Sequence, residues 1–134
     1  MKSLLVGCAG AVVLWTATPA LAHHSAAGVD RTKTVTIVGT VKQFMWTNPH
    51  SWMEIDVPNN KGGADTWSVE MTAPAYLVRA GWKSTTIKPG DKVSVVVRPM
   101  KNGDPGGLFV TITLPSGQTL GEQSVRATQP PAAP

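Results

Sequence analysis

The sequence contains little cysteine, little charge and few long apolar stretches, and each shortage excludes a class of protein. The single cysteine, Cys8, cannot form a disulfide within the chain, which excludes a disulfide-stapled fold. Outside residues 4–15 no apolar run approaches the roughly 20 residues that a membrane-spanning helix needs. Charged residues make up 15% of the chain, and the basic ones are scattered singly, so no nucleic-acid surface is expected.

The first 22 residues have the pattern of a cleaved secretory signal. Lys2 gives a positive start, residues 4–15 form a short apolar run, and Ala20-Leu21-Ala22 is a small-residue cleavage site. We therefore expect residues 1–22 to be removed, so that the mature chain begins at His23 and is periplasmic or secreted. The loss of Lys2 lowers the net charge from +4 to +3, and the mature chain keeps no cysteine.

The remaining chain divides into an arm, one domain and a tail. Residues 23–33 show no periodicity and predict a flexible amino-terminal arm. Residues 34–120 have the length of one small domain with a single core. Residues 121–134 are rich in proline, alanine and glutamine, which predicts a disordered tail. We expect a monomer without a membrane span after signal cleavage.

Alternation of apolar and polar residues with a period of two predicts five strands in the domain. We place the strands at residues 34–44, 51–57, 66–71, 93–97 and 108–114. Between the third and fourth strands, Pro74 opens a short helical segment that ends at Gly81, with the Thr72 hydroxyl as a candidate cap. The order strand, strand, strand, helix, strand, strand is that of an OB-type five-stranded barrel, and an open β-sandwich is the competing fold.

Individual residues predict details of these elements. Gly39 marks the place in the first strand where we expect a bend or a bulge. In the last strand simple alternation puts Val110 and Ile112 on one face and Phe109 on the other. Trp82, which follows the glycine at the end of the helical segment, is expected to seal that end against the barrel.

Five segments of the mature chain occur together in a specific combination. They are His23-His24-Ser25, Gly39-Thr40-Val41, Trp46-Thr47-Asn48-Pro49-His50-Ser51-Trp52, Ala80-Gly81-Trp82 and Lys88-Pro89-Gly90-Asp91-Lys92-Val93. With these motifs, residues 23–120 resemble the secreted bacterial proteins of the domain-of-unknown-function 6152 family. The resemblance implies an exported small β domain without an assigned activity, and it carries over no catalytic or binding residues. The chain departs from the family pattern at Ala26 and Ala27, where many relatives have an aromatic residue.

The three histidines predict a transition-metal site. The competing interpretation is that His23 and His24 are only a polar start of the mature chain and that His50 hydrogen-bonds a neighbouring carbonyl or stacks on a tryptophan. Cleavage after residue 22 gives His23 a free α-amine beside its imidazole, and this pair can chelate one metal ion. His24 and His50 would complete a set of three or four nitrogen donors. Cu(II) is the ion that such a set binds most tightly, because it favours nitrogen donors in a tetragonal plane and heads the Irving–Williams order. Glu70 is a further candidate, either as a ligand or as the acceptor of an imidazole N–H. The competing interpretation of Glu70 is that it caps the following helix or pairs with a basic residue.

Aromatic residues predict an alternative site for a glycan, a peptide or another small ligand. OB-type barrels bind such ligands on one sheet face and its flanking loops. Trp46, Trp52 and Phe109 could supply a stacking platform there. The competing interpretation is structural, with Trp46 and Trp67 filling the core and Trp52 covering the mouth of the barrel.

The sequence shows no signature of a known class of enzyme. It has no nucleophile elbow and no glycine-rich phosphate loop, and Glu54 and Asp56 alternate on an outward strand face. A copper oxidase built on the His23 amine is the one enzyme hypothesis that the residues allow. A third possibility is a partner-binding or structural module of the cell envelope, with residues 121–134 as a spacer.

Overall fold

The structure, a computed structural model, describes residues 26–122. The elements are a 3₁₀ turn at Ala26–Gly28, β1 at Val35–Met45, β2 at Trp52–Pro58, β3 at Ala64–Glu70, α1 at Pro74–Arg79, β4 at Lys92–Pro99, β5 at Gly106–Thr113 and β6 at Thr119–Gly121. The predicted signal peptide, His23, His24 and most of the predicted tail lie outside the described residues. Within residues 26–122 no helix is long and apolar enough to cross a membrane.

Five strands close into a barrel, as the sequence predicts. The strands pair in the order β3-β2-β1-β4-β5, and a parallel pairing of β3 with β5 joins the two ends. Helix α1 lies between β3 and β4 in the chain. The predicted OB-like barrel with one short helix is therefore confirmed, and the short β6 is an addition that the sequence pattern did not indicate.

Strand β1 belongs to both halves of the barrel. Its residues 35–40 pair with β4, and its residues 40–45 pair with β2. A Cβ atom on Gly39 would lie 2.4 Å from the Asp56 carbonyl oxygen, so only glycine allows the two strands to approach so closely. The register shift itself falls at Lys42, three residues after the position where we expected a bend.

The barrel encloses one core of aliphatic and aromatic side chains. Its fully buried members include Val41, Met53, Ile55, Val69, Leu77, Trp82, Val95, Val97 and Ile112. Among the tryptophans of residues 26–122, Trp82 is the fully buried one, because the turn after α1 directs it into the core, where its ring packs edge-on against Phe109 at 5.5 Å. Trp46 and Trp67 are partly buried and pack against this core from its edge.

Two local predictions are wrong for identifiable reasons. In β5 the neighbours of Val96 and Val97 are Thr111 and Phe109, so Val110 is an extra residue that shifts the alternation. As a result Phe109 and Ile112 both face the core. Helix α1 is preceded by Ala73 without a side-chain cap, so Thr72 does not cap it.

Candidate binding pocket

An open, mainly polar cavity of about 240 Å³ lies where β3 and β5 run side by side. Its charged members come from four separate parts of the chain. The lining residues are Arg31, His50, Glu70, Met71, Thr72, Arg98, Leu108, Phe109 and Glu122. The cavity therefore contains two of the predicted metal ligands, His50 and Glu70, and one of the predicted aromatic ligand-binding residues, Phe109.

The loop that carries His50 is fixed to the end of β3. The Ser51 N–H donates to the Thr72 carbonyl oxygen at 3.1 Å, and the Met71 N–H donates to the Ser51 carbonyl oxygen at 2.9 Å. The Thr47 hydroxyl donates to the His50 carbonyl oxygen at 2.9 Å, which closes the loop on itself. These hydrogen bonds extend the pairing of β2 with β3 and hold His50 beside the end of β3.

His50 and Glu70 are in direct contact. Nδ1 of the imidazole meets Oε1 of the carboxylate, while the His50 side chain is 50% exposed and that of Glu70 is 12% exposed. A carboxylate that accepts the Nδ1 proton fixes the ring and leaves Nε2 with its lone pair. Among the roles that the sequence suggests for Glu70, this contact fits the acceptor of an imidazole N–H, and no side chain caps the helix that follows.

Glu122 is a pocket residue that the sequence did not reveal. Its Oε1 accepts the Thr72 N–H at 2.8 Å, and the Gly121 carbonyl beside it accepts the buried Trp82 Nε1–H at 2.8 Å. Burial raises the pKa of Glu122, the hydrogen bond from Thr72 opposes the rise, and the nearby Glu70 carboxylate adds to it. Glu122 stands at the start of a segment of low sequence complexity, so nothing in the sequence indicated that it lies in a pocket.

Two arginines also line the pocket, and neither was a sequence candidate. Arg98 is half-buried near the end of β4. The segment before Arg31 runs along that end of β4, because the Asp30 N–H donates to the Pro99 carbonyl oxygen at 2.8 Å. Within residues 26–122 neither guanidinium has a carboxylate oxygen within 4.0 Å.

The three aromatic candidates occupy different surroundings. Trp46 packs edge-on against Phe44 at 5.7 Å, at the margin of the core. Trp52 is half-buried on β2, opposite Glu70 in the register of β2 with β3. Phe109 is 4% exposed and reaches the floor of the pocket. Of the three, Phe109 alone lines this pocket, and the ligand-binding role of the tryptophans stays a prediction.

The described part of the chain supplies an incomplete set of metal ligands. Within residues 26–122 no three His, Cys, Asp or Glu side chains converge closely enough to hold a metal ion. His50 contributes one available ring nitrogen, and the other predicted nitrogen donors, at His23 and His24, precede the described residues. The predicted copper site therefore depends on how the amino-terminal arm meets this pocket.

Comparisons with known proteins identify the family to which the chain is related but no activity. The sequence model of a family of unknown function, DUF6152, matches residues 11–110. No curated protein matches the chain. Among solved structures, the mitochondrial single-stranded DNA-binding protein Rim1 of S. cerevisiae is 13% identical, with 61% of this chain and 93% of that chain covered at a TM-score of 0.44. A likeness at this level carries no argument about function.

Proposed function

The chain belongs to the DUF6152 family, a family of unknown function, and we propose that it is an exported β-barrel module that binds Cu(II). In this proposal the metal is held by Nε2 of His50 together with the α-amine and imidazole of His23, and His24 is the fourth nitrogen donor. The protein acts in the periplasm or outside the cell, where a cleaved signal exposes the amine.

The contact between His50 and Glu70 is the observation that carries the proposal. Histidines that bind metals commonly donate their second ring N–H to a carboxylate, which sets the tautomer and raises the basicity of the ligating nitrogen. His50 has this partner and is half exposed, so that its Nε2 can be reached from solvent. The carboxylates of Glu70 and Glu122 offset the positive charges of Arg31 and Arg98, which line the same cavity.

The course of the amino-terminal arm is compatible with a shared site. Arg31 lines the same cavity as His50. His24 precedes Arg31 by seven residues, and a chain of that length spans at most about 25 Å. Nitrogen donors of this kind favour Cu(II) over the other divalent first-row metals.

Two measurements test the proposal. Intact-mass analysis of the exported protein should give a chain that begins at His23. Titration of that protein with Cu(II) should show one tight site, and H50Q and H23A should each weaken it tenfold or more. E54Q, which changes a carboxylate on β2 outside the pocket, is the matched control and should bind like the wild type. Cleavage at another residue, or unchanged affinity in both histidine variants, would show the proposal to be wrong.

The role of Glu70 has a separate readout. E70Q keeps an oxygen that can accept the Nδ1–H of His50 but removes the negative charge behind the ring. Loss of such a partner typically costs 10–100-fold in metal affinity, and we expect about tenfold for this neutral replacement. Full retention of Cu(II) affinity in E70Q would mean that the contact with His50 is structural.

A further inference from the structure

We propose that the pocket also binds a small zwitterion, an α-amino acid with an apolar side chain, in the absence of any metal. Arg98 and Arg31 would hold the carboxylate, and Glu122 and Glu70 would hold the ammonium group. This ligand goes beyond the proposed copper function and does not depend on it, because all four side chains lie within the described residues.

The barrel places opposite charges on the two sides of an apolar strip. Leu108 of β5 is paired with Glu70 of β3 on one side and with Arg98 of β4 on the other. Residues paired in register project from the same face of a sheet. Because neighbouring strands lie about 4.8 Å apart, the backbones of Glu70 and Arg98 are about 10 Å apart, with Leu108 between them. No ion pair joins Glu70 to Arg98.

Neither arginine of the pocket forms an ion pair within the described residues, although Arg98 is close enough to Glu122 to oppose the rise that burial causes in the pKa of that carboxyl. Arg31 and Arg98 carry like charges into one cavity. Two like charges in one cavity repel each other, and a bound counter-charge relieves that repulsion. A guanidinium binds a carboxylate through two parallel hydrogen bonds, so a ligand carboxylate is the natural counter-charge.

The acidic side of the pocket retains acceptor capacity. Glu122 uses Oε1 for the Thr72 N–H, and Glu70 uses Oε1 for His50. Each carboxylate therefore has a second oxygen that these two contacts do not use. These two oxygens can accept the N–H groups of an ammonium ion. A ligand with one charge of each sign therefore matches the two arginines and the two carboxylates together.

The small volume and the apolar floor of the cavity favour an amino acid with a small apolar side chain. Leu108 and the partly accessible edges of Met71 and Phe109 give the pocket an apolar floor. The volume of about 240 Å³ lies below the 300–1,000 Å³ typical of pockets for drug-sized ligands. An amino acid with a small branched side chain such as valine fits these limits, and a nucleotide or an oligosaccharide does not.

The test is a titration of EDTA-treated protein with L-valine, followed through the backbone amide signals of residues 106–112 in NMR spectra. Isovalerate, which lacks the amine, and isobutylamine, which lacks the carboxylate, are the matched probes. We expect each to bind at least tenfold more weakly than L-valine. Isovalerate has no ammonium group for the acidic side of the pocket, and isobutylamine has no carboxylate for the basic side.

Variants test which residues bind the carboxylate and which bind the ammonium group of the ligand. R98Q should weaken L-valine at least tenfold and leave isobutylamine unchanged, whereas E122Q should weaken isobutylamine and leave isovalerate unchanged. R98K serves if R98Q unfolds, and it should bind more weakly than the wild type because it loses the bidentate geometry. R79Q is the control, since Arg79 lies over the Tyr76 ring on α1 and does not line the pocket.

Three results would overturn the inference: no shift with L-valine, equal affinity for L-valine and isovalerate, or unchanged binding in R98Q. Each is distinct from a failure of the copper proposal, because no metal is present in the titration.

Discussion

At the scale of single residues, Glu122 makes stability depend on pH. Burial raises its pKa above the ordinary value of 4.5, so the folded protein holds this proton more tightly than the unfolded chain does. Between the ordinary and the raised pKa the native state therefore carries more protons, and stability falls as the pH rises through that window. The contribution of protonated Glu122 to the unfolding free energy is fully present below the ordinary pKa of 4.5.

Replacing the ionisable group should remove this loss. In E122Q the decrease in unfolding free energy between pH 4.5 and pH 7 should be smaller than in the wild type. Urea unfolding of EDTA-treated protein at the two pH values measures it. E54Q, a carboxylate change outside the pocket, should keep the wild-type dependence. An E122Q variant with the same dependence as the wild type would show that Glu122 is not the group responsible.

At the scale of elements, β5 pairs with both β3 and β4 at Gly107, where the backbones of β5 and β4 lie very close together. A Cβ atom on Gly107 would lie 2.1 Å from the Arg98 carbonyl oxygen, so the backbone of β4 would have to move. We expect G107A to destabilise the fold by about 2 kcal/mol or more, because overpacking against backbone cannot be relieved by a rotamer change. G63A is the control: its new methyl group meets nothing closer than 3.8 Å. Urea midpoints of the two variants give the comparison, and equal midpoints would contradict this account of the closure.

Trp82 connects helix α1 to strand β6. Its ring is 1% exposed, and its Nε1–H donates to the Gly121 carbonyl oxygen. W82F removes the donor and part of the ring, and we expect a loss of about 2–4 kcal/mol. Hydrogen exchange should also accelerate at the β6 amides, which precede Glu122. Y76F on the exposed face of α1 should change neither quantity, and normal protection of β6 in W82F would show that the hydrogen bond does not hold this strand.

At the scale of the whole molecule, the copper proposal predicts linked stability. A ligand that binds only the folded state stabilises it by about 2.7 kcal/mol at 100 times its Kd. For a domain of this size that corresponds to a rise in Tm of about 10 °C or more. Cu(II) should produce this rise in the exported protein, EDTA should reverse it, and H50Q should show little of it. An equal rise in H50Q would place the metal elsewhere.

The architecture was largely predictable because local chemistry specifies it. Apolar residues with a period of two define the strands, and proline and glycine mark the connections. The helical segment between the third and fourth strands then selects an OB-type order. The alternation fails at Val110 in β5 because of a β-bulge, and the pattern of apolar residues in one strand does not predict a bulge.

The pocket was only partly predictable. The sequence singled out His50 as the one histidine in the domain and Glu70 as a candidate acceptor for an imidazole N–H, and the structure brings the two into contact. Glu122, Arg31 and Arg98 had no local signature. Each of them becomes a pocket residue only through neighbours that are distant in the sequence.

The sequence by itself determined the strands, the short helix and most of the core, since burial and periodicity are properties of short segments, and it left the barrel and an open β-sandwich as alternatives. Only the tertiary structure decided the pocket. Strand β5 pairs first with β3 and then with β6, and that exchange of partners brings Glu122 to the Thr72 N–H beside Glu70. The same strand separates Glu70 from Arg98. Long-range strand pairing, which no local pattern specifies, is the physical reason why these charges meet in one cavity.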